Sequence, residues 1–278
     1  MSLRYFLSVL VLTLLWVQPL HAAGHDAIVT FANGLRAAVY QPPDYAKADP
    51  KKRWPALFFS HGFAGSALSQ DVLLGKIAAL GILVLAVEHS DPVAFERIPP
   101  REGDSRWKIL SYLRDHPFDD ATYGYRPQEF AVFVREAMGR FPIDERRIIF
   151  AGHSMGGYTI FNALRQVEEQ PCALIAYSTG ELNFKRGRPY FTPAQLAAIK
   201  VPLLLTYGEH EFDADRGPYA QVIKRDYGGP VQLMMVQGGS HLSYNDPARA
   251  WGKRKRLAQI AQVFARSRQF LQAVLPPQ

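Results

Sequence analysis

The run Ile148-Ile149-Phe150-Ala151-Gly152-His153-Ser154-Met155-Gly156-Gly157-Tyr158 decides how the rest of the chain reads. Its apolar, β-branched start has the character of a buried strand, and the segment from Tyr158 to Arg165 has helical character. Between them stands Gly-His-Ser-Met-Gly, a Gly-x-Ser-x-Gly pattern set between strand and helix. A turn that tight forces the serine into a strained backbone conformation and lifts its hydroxyl above the sheet edge. Gly152 and Gly156 flank it because a side chain at either place would meet the neighbouring strand or helix. The helix that follows aims its first amides at the serine, where negative charge develops during acyl transfer. Ser154 is therefore the candidate nucleophile. The alternative is a merely structural glycine-rich turn, which the strand before and the helix after disfavour.

Upstream, Ile28–Phe31 and Leu35–Tyr40 bracket Asn33-Gly34, a pair suited to the positive φ angles of a tight antiparallel hairpin. A loop rich in Pro, Asp and Lys follows from Gln41 to Arg53. Trp54–Ser60 reads as a buried strand ending at His61-Gly62-Phe63-Ala64-Gly65. Val72–Leu80 reads as a helix stopped by Gly81, and Ile82–Val87 as a strand closing on Glu88-His89-Ser90-Asp91. Glu129–Arg140 is an amphipathic helix leading into the nucleophile strand. Beyond it, Ala173–Tyr177, Leu203–Tyr207 and Val231–Val236 are apolar strand-like runs, and Arg249–Val274 is a terminal helix. Continuous apolar strands alternating with helices predict a mostly parallel sheet covered on both faces.

Two stretches break the rhythm. Asp91–Gly124 carries Pro99-Pro100, Pro117 and the aromatics Phe95, Trp107, Tyr112 and Phe118. Connections that long are usually functional or disordered, and the aromatics favour an ordered excursion near the active site. Ser178–Lys200, aromatic and basic, is a candidate lid.

A serine hydroxyl needs a base, and the base an orienting carboxylate. After an elbow of this type the chain order is serine, acid, histidine. Only His210 and His241 follow Ser154, and His241 sits on the glycine-rich loop after the last strand, so it is the candidate base. The candidate acids lie in Gly208-Glu209-His210-Glu211-Phe212-Asp213-Ala214-Asp215. Glu211 is placed best and Asp213 next, with Asp215, Glu209 and, past the preceding strand, Glu181 also open. The oxyanion requires two preorganised amides. Met155, directly after the nucleophile, supplies one. Phe63, where Gly62 lets the backbone approach closely, supplies the other. His61 is expected to orient this loop rather than to move protons.

The chain has 278 residues, 48% of them hydrophobic and 12% aromatic, which suits one sizeable domain. Residues 1–23, with Arg4, the apolar Phe6–Val17 and a small-residue end, read as a secretory signal peptide, leaving 24–278 as a single domain. The expected location is thus extracellular or periplasmic. Cys172 is the single cysteine, so no internal disulfide can form. The formal charge of +7 favours peripheral contact with anionic surfaces. The basic run Lys253–Arg256 reads as a solvated helix face, because no nucleic-acid motif accompanies it. No metal or other cofactor is implied, the oligomeric state is open, and the expected partner is a small-molecule or lipid-like ester.

Phe58-Phe59-Ser60-His61-Gly62-Phe63, Val87-Glu88-His89-Ser90-Asp91 and Gly152–Gly157 together carry a family likeness. The chain resembles the α/β-hydrolase superfamily over its whole mature length. Within it, these stretches resemble the platelet-activating-factor acetylhydrolase, dienelactone hydrolase and cutinase-like branch. The resemblance implies an α/β-hydrolase fold with an N-terminal antiparallel hairpin. It also implies serine-dependent hydrolysis of short acyl esters, lactones or polyesters. Lipase-like, amidase or acyltransferase chemistry is the alternative on the same scaffold, and a non-catalytic binding module is the remote one. The sequence departs from the branch in offering Glu211 where aspartate is usual, and in lacking the partner for a C-terminal disulfide.

Overall fold

The computed structural model describes residues 24–95, 97–98, 103–116, 120–179, 191–212, 217–246 and 253–275. The signal-peptide segment 1–23 lies outside them. Eight strands form one sheet: β1 (Ala27–Thr30), β2 (Arg36–Tyr40), β3 (Trp54–Ser60), β4 (Leu83–Glu88), β5 (Ile143–His153), β6 (Ala173–Tyr177), β7 (Leu203–Gly208) and β8 (Val231–Val236). Their order is β1-β2-β4-β3-β5-β6-β7-β8. β1 pairs antiparallel with β2, and β2 antiparallel with β4; every other pairing is parallel. Gly34, at φ 85°, makes the expected hairpin turn.

Helices in chain order are α1 (Asp71–Ala78), α2 (Arg106–Asp115), α3 (Asp120–Tyr123), α4 (Tyr125–Arg140), α5 (Met155–Ala163), α6 (Pro193–Ala198), α7 (Glu209–Glu211), α8 (Gly217–Asp226) and α9 (Lys253–Val274). All seven residues of β3 are buried, and they alternate between two cores. Ala56 and Phe58 point to one face, with Phe130 and Phe133 of α4, Phe161 of α5 and Ile223 of α8. Leu57 and Phe59 point to the other, with Leu74 and Ile77 of α1 and Ile260 and Phe270 of α9. The period of two in a strand covered on both sides explains its unbroken apolar run.

The chain leaves β3 toward β4 on one side and later returns to β5 on the other. The carboxyl ends of β3 and β5 therefore flank the point where strand order reverses, the place where open parallel sheets bind ligands. α4 begins at Tyr125, four residues earlier than its amphipathic pattern predicts, because Pro127 falls in the first helical turn, where its missing amide costs no hydrogen bond. The first excursion is ordered where described, since α2 and α3 pack Tyr112 and Tyr123 against Phe63. The second, the candidate lid, is described only in part. Residues 180–190 lie outside the described residues, and α6 belongs to the domain wall, with Leu196 in the core and Gly228 donating its amide to the Leu196 carbonyl.

Candidate active site

Ser154 sits between β5 and α5 with φ 54° and ψ −118°, a conformation that non-glycine residues rarely hold. Its amide donates to the Tyr177 carbonyl at 2.9 Å, and its carbonyl accepts the Gly157 amide at 3.0 Å. Both bonds fix the strained turn. A Cβ on Gly156 would lie 1.9 Å from the Ser60 carbonyl oxygen, so α5 can approach β3 this closely only with glycine there. All nine residues of α5 are buried, which aims a rigid helix N-terminus at the serine.

The structure brings Ser154, His241 and Glu211 into one hydrogen-bonded line. Ser154 Oγ lies 2.8 Å from His241 Nε2, and His241 Nδ1 lies 2.9 Å from Glu211 Oε2. With Nδ1 facing the carboxylate, the proton sits there and Nε2 is free to accept from the serine. The other Glu211 oxygen accepts the Gly208 amide at 2.8 Å and the Ser178 hydroxyl. Burial alone would raise the Glu211 pKa. The hydrogen bonds from His241 and Ser178, and then the Gly208 amide, outweigh it and hold the group below the usual carboxylate range. Among the other candidate acids, Glu209 accepts the Gly238 amide at 2.8 Å on the surface. Asp213, the alternative, and Asp215 and Glu181 lie outside the described residues. His210 is exposed, and its amide donates to the Gly239 carbonyl.

His153, inside the elbow, has a task its position alone did not announce. Its Nε2 donates to the main-chain carbonyl of His241 at 2.9 Å, fixing the loop that carries the candidate base. Burial, and then the neighbouring His241, push its pKa down to about 3, so it stays neutral.

The loop after β3 is anchored from below. Gly62 packs so closely that a Cβ there would be 3.3 Å from Ser154 Cβ. Arg126, fully buried at the start of α4, donates to the His61 carbonyl at 2.9 Å and pairs with Asp91 at 3.2 Å. Asp91 in turn accepts the Ala64 amide at 2.8 Å and the Tyr125 hydroxyl at 2.7 Å. Phe63 is thereby held between two fixed residues. His61 Nε2 accepts the His89 amide and Nδ1 donates to the Gly62 carbonyl, the orienting arrangement expected of it. Burial, then the Arg126 charge, depress its pKa well below the ordinary histidine value. Met155 is the first residue of α5, so its amide is one that intrahelical bonding leaves unused.

Several large apolar side chains are exposed among the described residues. Trp107 is 81% exposed and Leu110 and Phe95 about half exposed on the first excursion, while Leu242 adjoins the base. The Met155 side chain is buried with Tyr123 and Tyr158. A cleft of about 420 Å³ between α5 and α6, lined by Phe161, Phe191 and Ile199, touches none of the three aligned residues. Among the described residues, no group of three or more His, Cys, Asp or Glu side chains is placed to hold a metal ion.

Comparison with known proteins agrees with this architecture. The structure is similar to a ferulic acid esterase from Streptomyces cinnamoneus, with a TM-score of 0.63 at 18% identity over 88% of this chain and 84% of that one. It is also similar to esterase 2 of Thermogutta terrifontis, with a TM-score of 0.60 at 17% identity over 92% and 95%. For a dienelactone hydrolase from Anabaena variabilis the TM-score is 0.52 at 15% identity, over 87% and 95%.

The fold is that of an α/β-hydrolase.

Within this fold, residues 23–102 match the family of platelet-activating factor acetylhydrolase, isoform II. A putative phospholipase A2 of Schizosaccharomyces pombe is 32% identical over 117 residues, which are 38% of this chain and 22% of that protein. The chain thus matches about a fifth of that relative's length. Sequence reasoning missed Ser178 and Arg126. Ser178 carried no signal, because its role depends on a backbone angle. Arg126 lay just ahead of the expected helix start.

Proposed function

We propose that this protein is a serine hydrolase of carboxylic esters that works through an acyl-enzyme intermediate. The observation that carries the proposal is the Ser154–His241–Glu211 line at a positive-φ elbow. His241 Nε2 takes the Ser154 proton as Oγ attacks the ester carbonyl. Charge then collects on the carbonyl oxygen, where the amides of Met155 and Phe63 supply the two donors. Each such donor contributes about 3 kcal/mol of transition-state stabilisation. Glu211 holds the imidazolium in orientation, and His241 delivers its proton to the departing alcohol. Water repeats the sequence on the acyl-serine, with His241 again as base.

The ester-hydrolysing names of the structural relatives support the substrate class. The acyl group is proposed to be short, and the signal-like residues 1–23 support action outside the cytoplasm. A second reading, a lipid-like ester presented at a surface, is favoured by the exposed Trp107, Leu110 and Leu242. The match of residues 23–102 supports the same reading. A fluorophosphonate reagent should label wild-type protein once per chain, at Ser154, and stop p-nitrophenyl acetate turnover in step. Ser154→Ala should take no label. Wild-type turnover by that variant would overturn the proposal.

A further inference from the structure

Beyond the three aligned residues, we propose that Ser178 is a positioning residue, bridging His241 and Glu211 through its hydroxyl; the inference rests on the serine-hydrolase reading. Ser178 follows β6 and is fully buried. Its Oγ lies 3.0 Å from His241 Nδ1 and donates to Glu211 Oε1. The polarity is consistent around this small ring. Nδ1–H is shared between Glu211 Oε2 and Ser178 Oγ, and the Ser178 proton goes on to the second carboxylate oxygen. The imidazole thus reaches its carboxylate by two routes, one direct and one through a single hydroxyl. No other residue type of this size both accepts and donates in this way.

The backbone shows that the hydroxyl is placed at a cost. Ser178 has φ 48°, where a β-carbon is strained. It is held there by its own amide, which donates to the Thr206 carbonyl at 2.7 Å. Glycine would relieve the strain, and its absence here is explained by the side chain. A glutamate also needs more restraint than an aspartate, having one more rotatable bond. Gly208 and Ser178, at the ends of neighbouring strands, together fix Oε1 and leave Oε2 to His241.

The test compares Ser178→Gly, Ser178→Ala, Glu211→Gln and the Ser178→Ala/Glu211→Gln double variant with wild type on p-nitrophenyl acetate. Glycine suits the backbone angle, so Ser178→Gly should keep the wild-type melting temperature or better. Both single variants at 178 should lose kcat roughly ten- to a hundredfold, the effect of one hydrogen bond to a charged group, with KM within about twofold. In the Glu211→Gln background, Ser178→Ala should cost less than about threefold more, because its route of action is already lost. Wild-type kcat in Ser178→Gly, or fully additive losses in the double variant, would overturn the role of Ser178 alone. Wild-type turnover by Ser154→Ala, run alongside, would overturn the hydrolase reading and this inference with it.

Discussion

The Ser154 amide donates to the carbonyl of Tyr177 at 2.9 Å, so the candidate nucleophile is tied to the residue immediately before Ser178. Both serines hold positive φ, 54° and 48°. Such residues cost on the order of 1–3 kcal/mol each and persist only where their surroundings over-determine them. Here one end of one strand sets both: the Tyr177 carbonyl holds the turn at Ser154, and the next hydroxyl donates to Glu211. The two ends of the aligned triad are therefore not independent, although 57 residues of sequence separate Ser154 from Glu211.

The acid assignment predicts a sharp contrast on one short segment. Glu211→Gln should lower kcat by about 10³- to 10⁴-fold, since an amide no longer stabilises the imidazolium. Glu209→Gln, whose amide oxygen can still accept the Gly238 amide on the surface, should stay within about threefold. Asp213→Asn should behave like Glu209→Gln. Steady-state kinetics on purified variants decides it: a mild Glu211→Gln with a crippled Asp213→Asn would move the acid two residues on.

Two glycines should separate catalysis from folding. An added Cβ at Gly156 would sit 1.9 Å from a backbone oxygen, a collision that neither chain can yield to, so Gly156→Ala should not accumulate as soluble protein. At Gly62 the tightest contacts are His153 Nδ1 at 3.1 Å and Ser154 Cβ at 3.3 Å, which need shifts of only tenths of an ångström. Gly62→Ala should fold, melt within a few degrees of wild type, and still lose roughly tenfold or more in kcat because the nucleophile is displaced. A soluble, active Gly156→Ala would contradict this packing.

Glu88 predicts a pH dependence of stability. Burial raises its pKa to about 7 from an ordinary 4.5, against the amides of Ala67 and Ile98, which act to lower it. Between those values the folded protein binds a proton that the unfolded chain has released, so stability should fall as pH rises from about 4.5 to 7 and level off above. Each unit corresponds to about 1.4 kcal/mol, giving at most a few kcal/mol. Glu88→Gln cannot titrate. Calorimetry from pH 5 to 8 should show wild type losing several degrees relative to the variant, and parallel curves would exclude the effect.

The rim of Phe63, packed on Tyr112 and Tyr123, predicts chain-length selectivity. Each accommodated methylene adds about 0.8 kcal/mol until the wall is met. On p-nitrophenyl esters kcat/KM should peak at about C2 to C6 and then decline. A continued rise to about C12, with activation at an oil–water interface, would favour the lipid-surface reading.

Much of this architecture was legible because it is locally encoded. Phe58 and Phe59 declare a strand covered on both faces, and Asn33-Gly34 declares a turn. The glycines at 152 and 156 declare a close approach. Glu211 could be ranked first by its distance from Gly208, but no pattern in the sequence distinguishes it from Asp213. What stayed hidden depends on contacts between distant segments. Arg126 and Asp91 are 35 residues apart and meet only because α4 crosses beneath the loop after β3. The part of the second excursion that packs as domain wall could not be told from a lid, because Leu196 and Phe191 are as apolar in one setting as in the other.

The buried histidine at the end of β4 has one further consequence. His89 Nε2 lies 2.8 Å from Ser60 Oγ and its Nδ1 2.8 Å from Glu129 Oε2. That is a second serine–histidine–glutamate line, of the same polarity as the first. Ser60 is wholly enclosed and sits in regular strand, whereas Ser154 is half-buried on a strained turn. The same three functional groups therefore recur in a different setting: burial and the Arg126 charge push the His89 pKa down, and burial pushes the Glu129 pKa up where that of Glu211 is held down. A chemical probe that modifies Ser154 and spares Ser60 would report on access and local environment together, since the same three residue types stand in both lines.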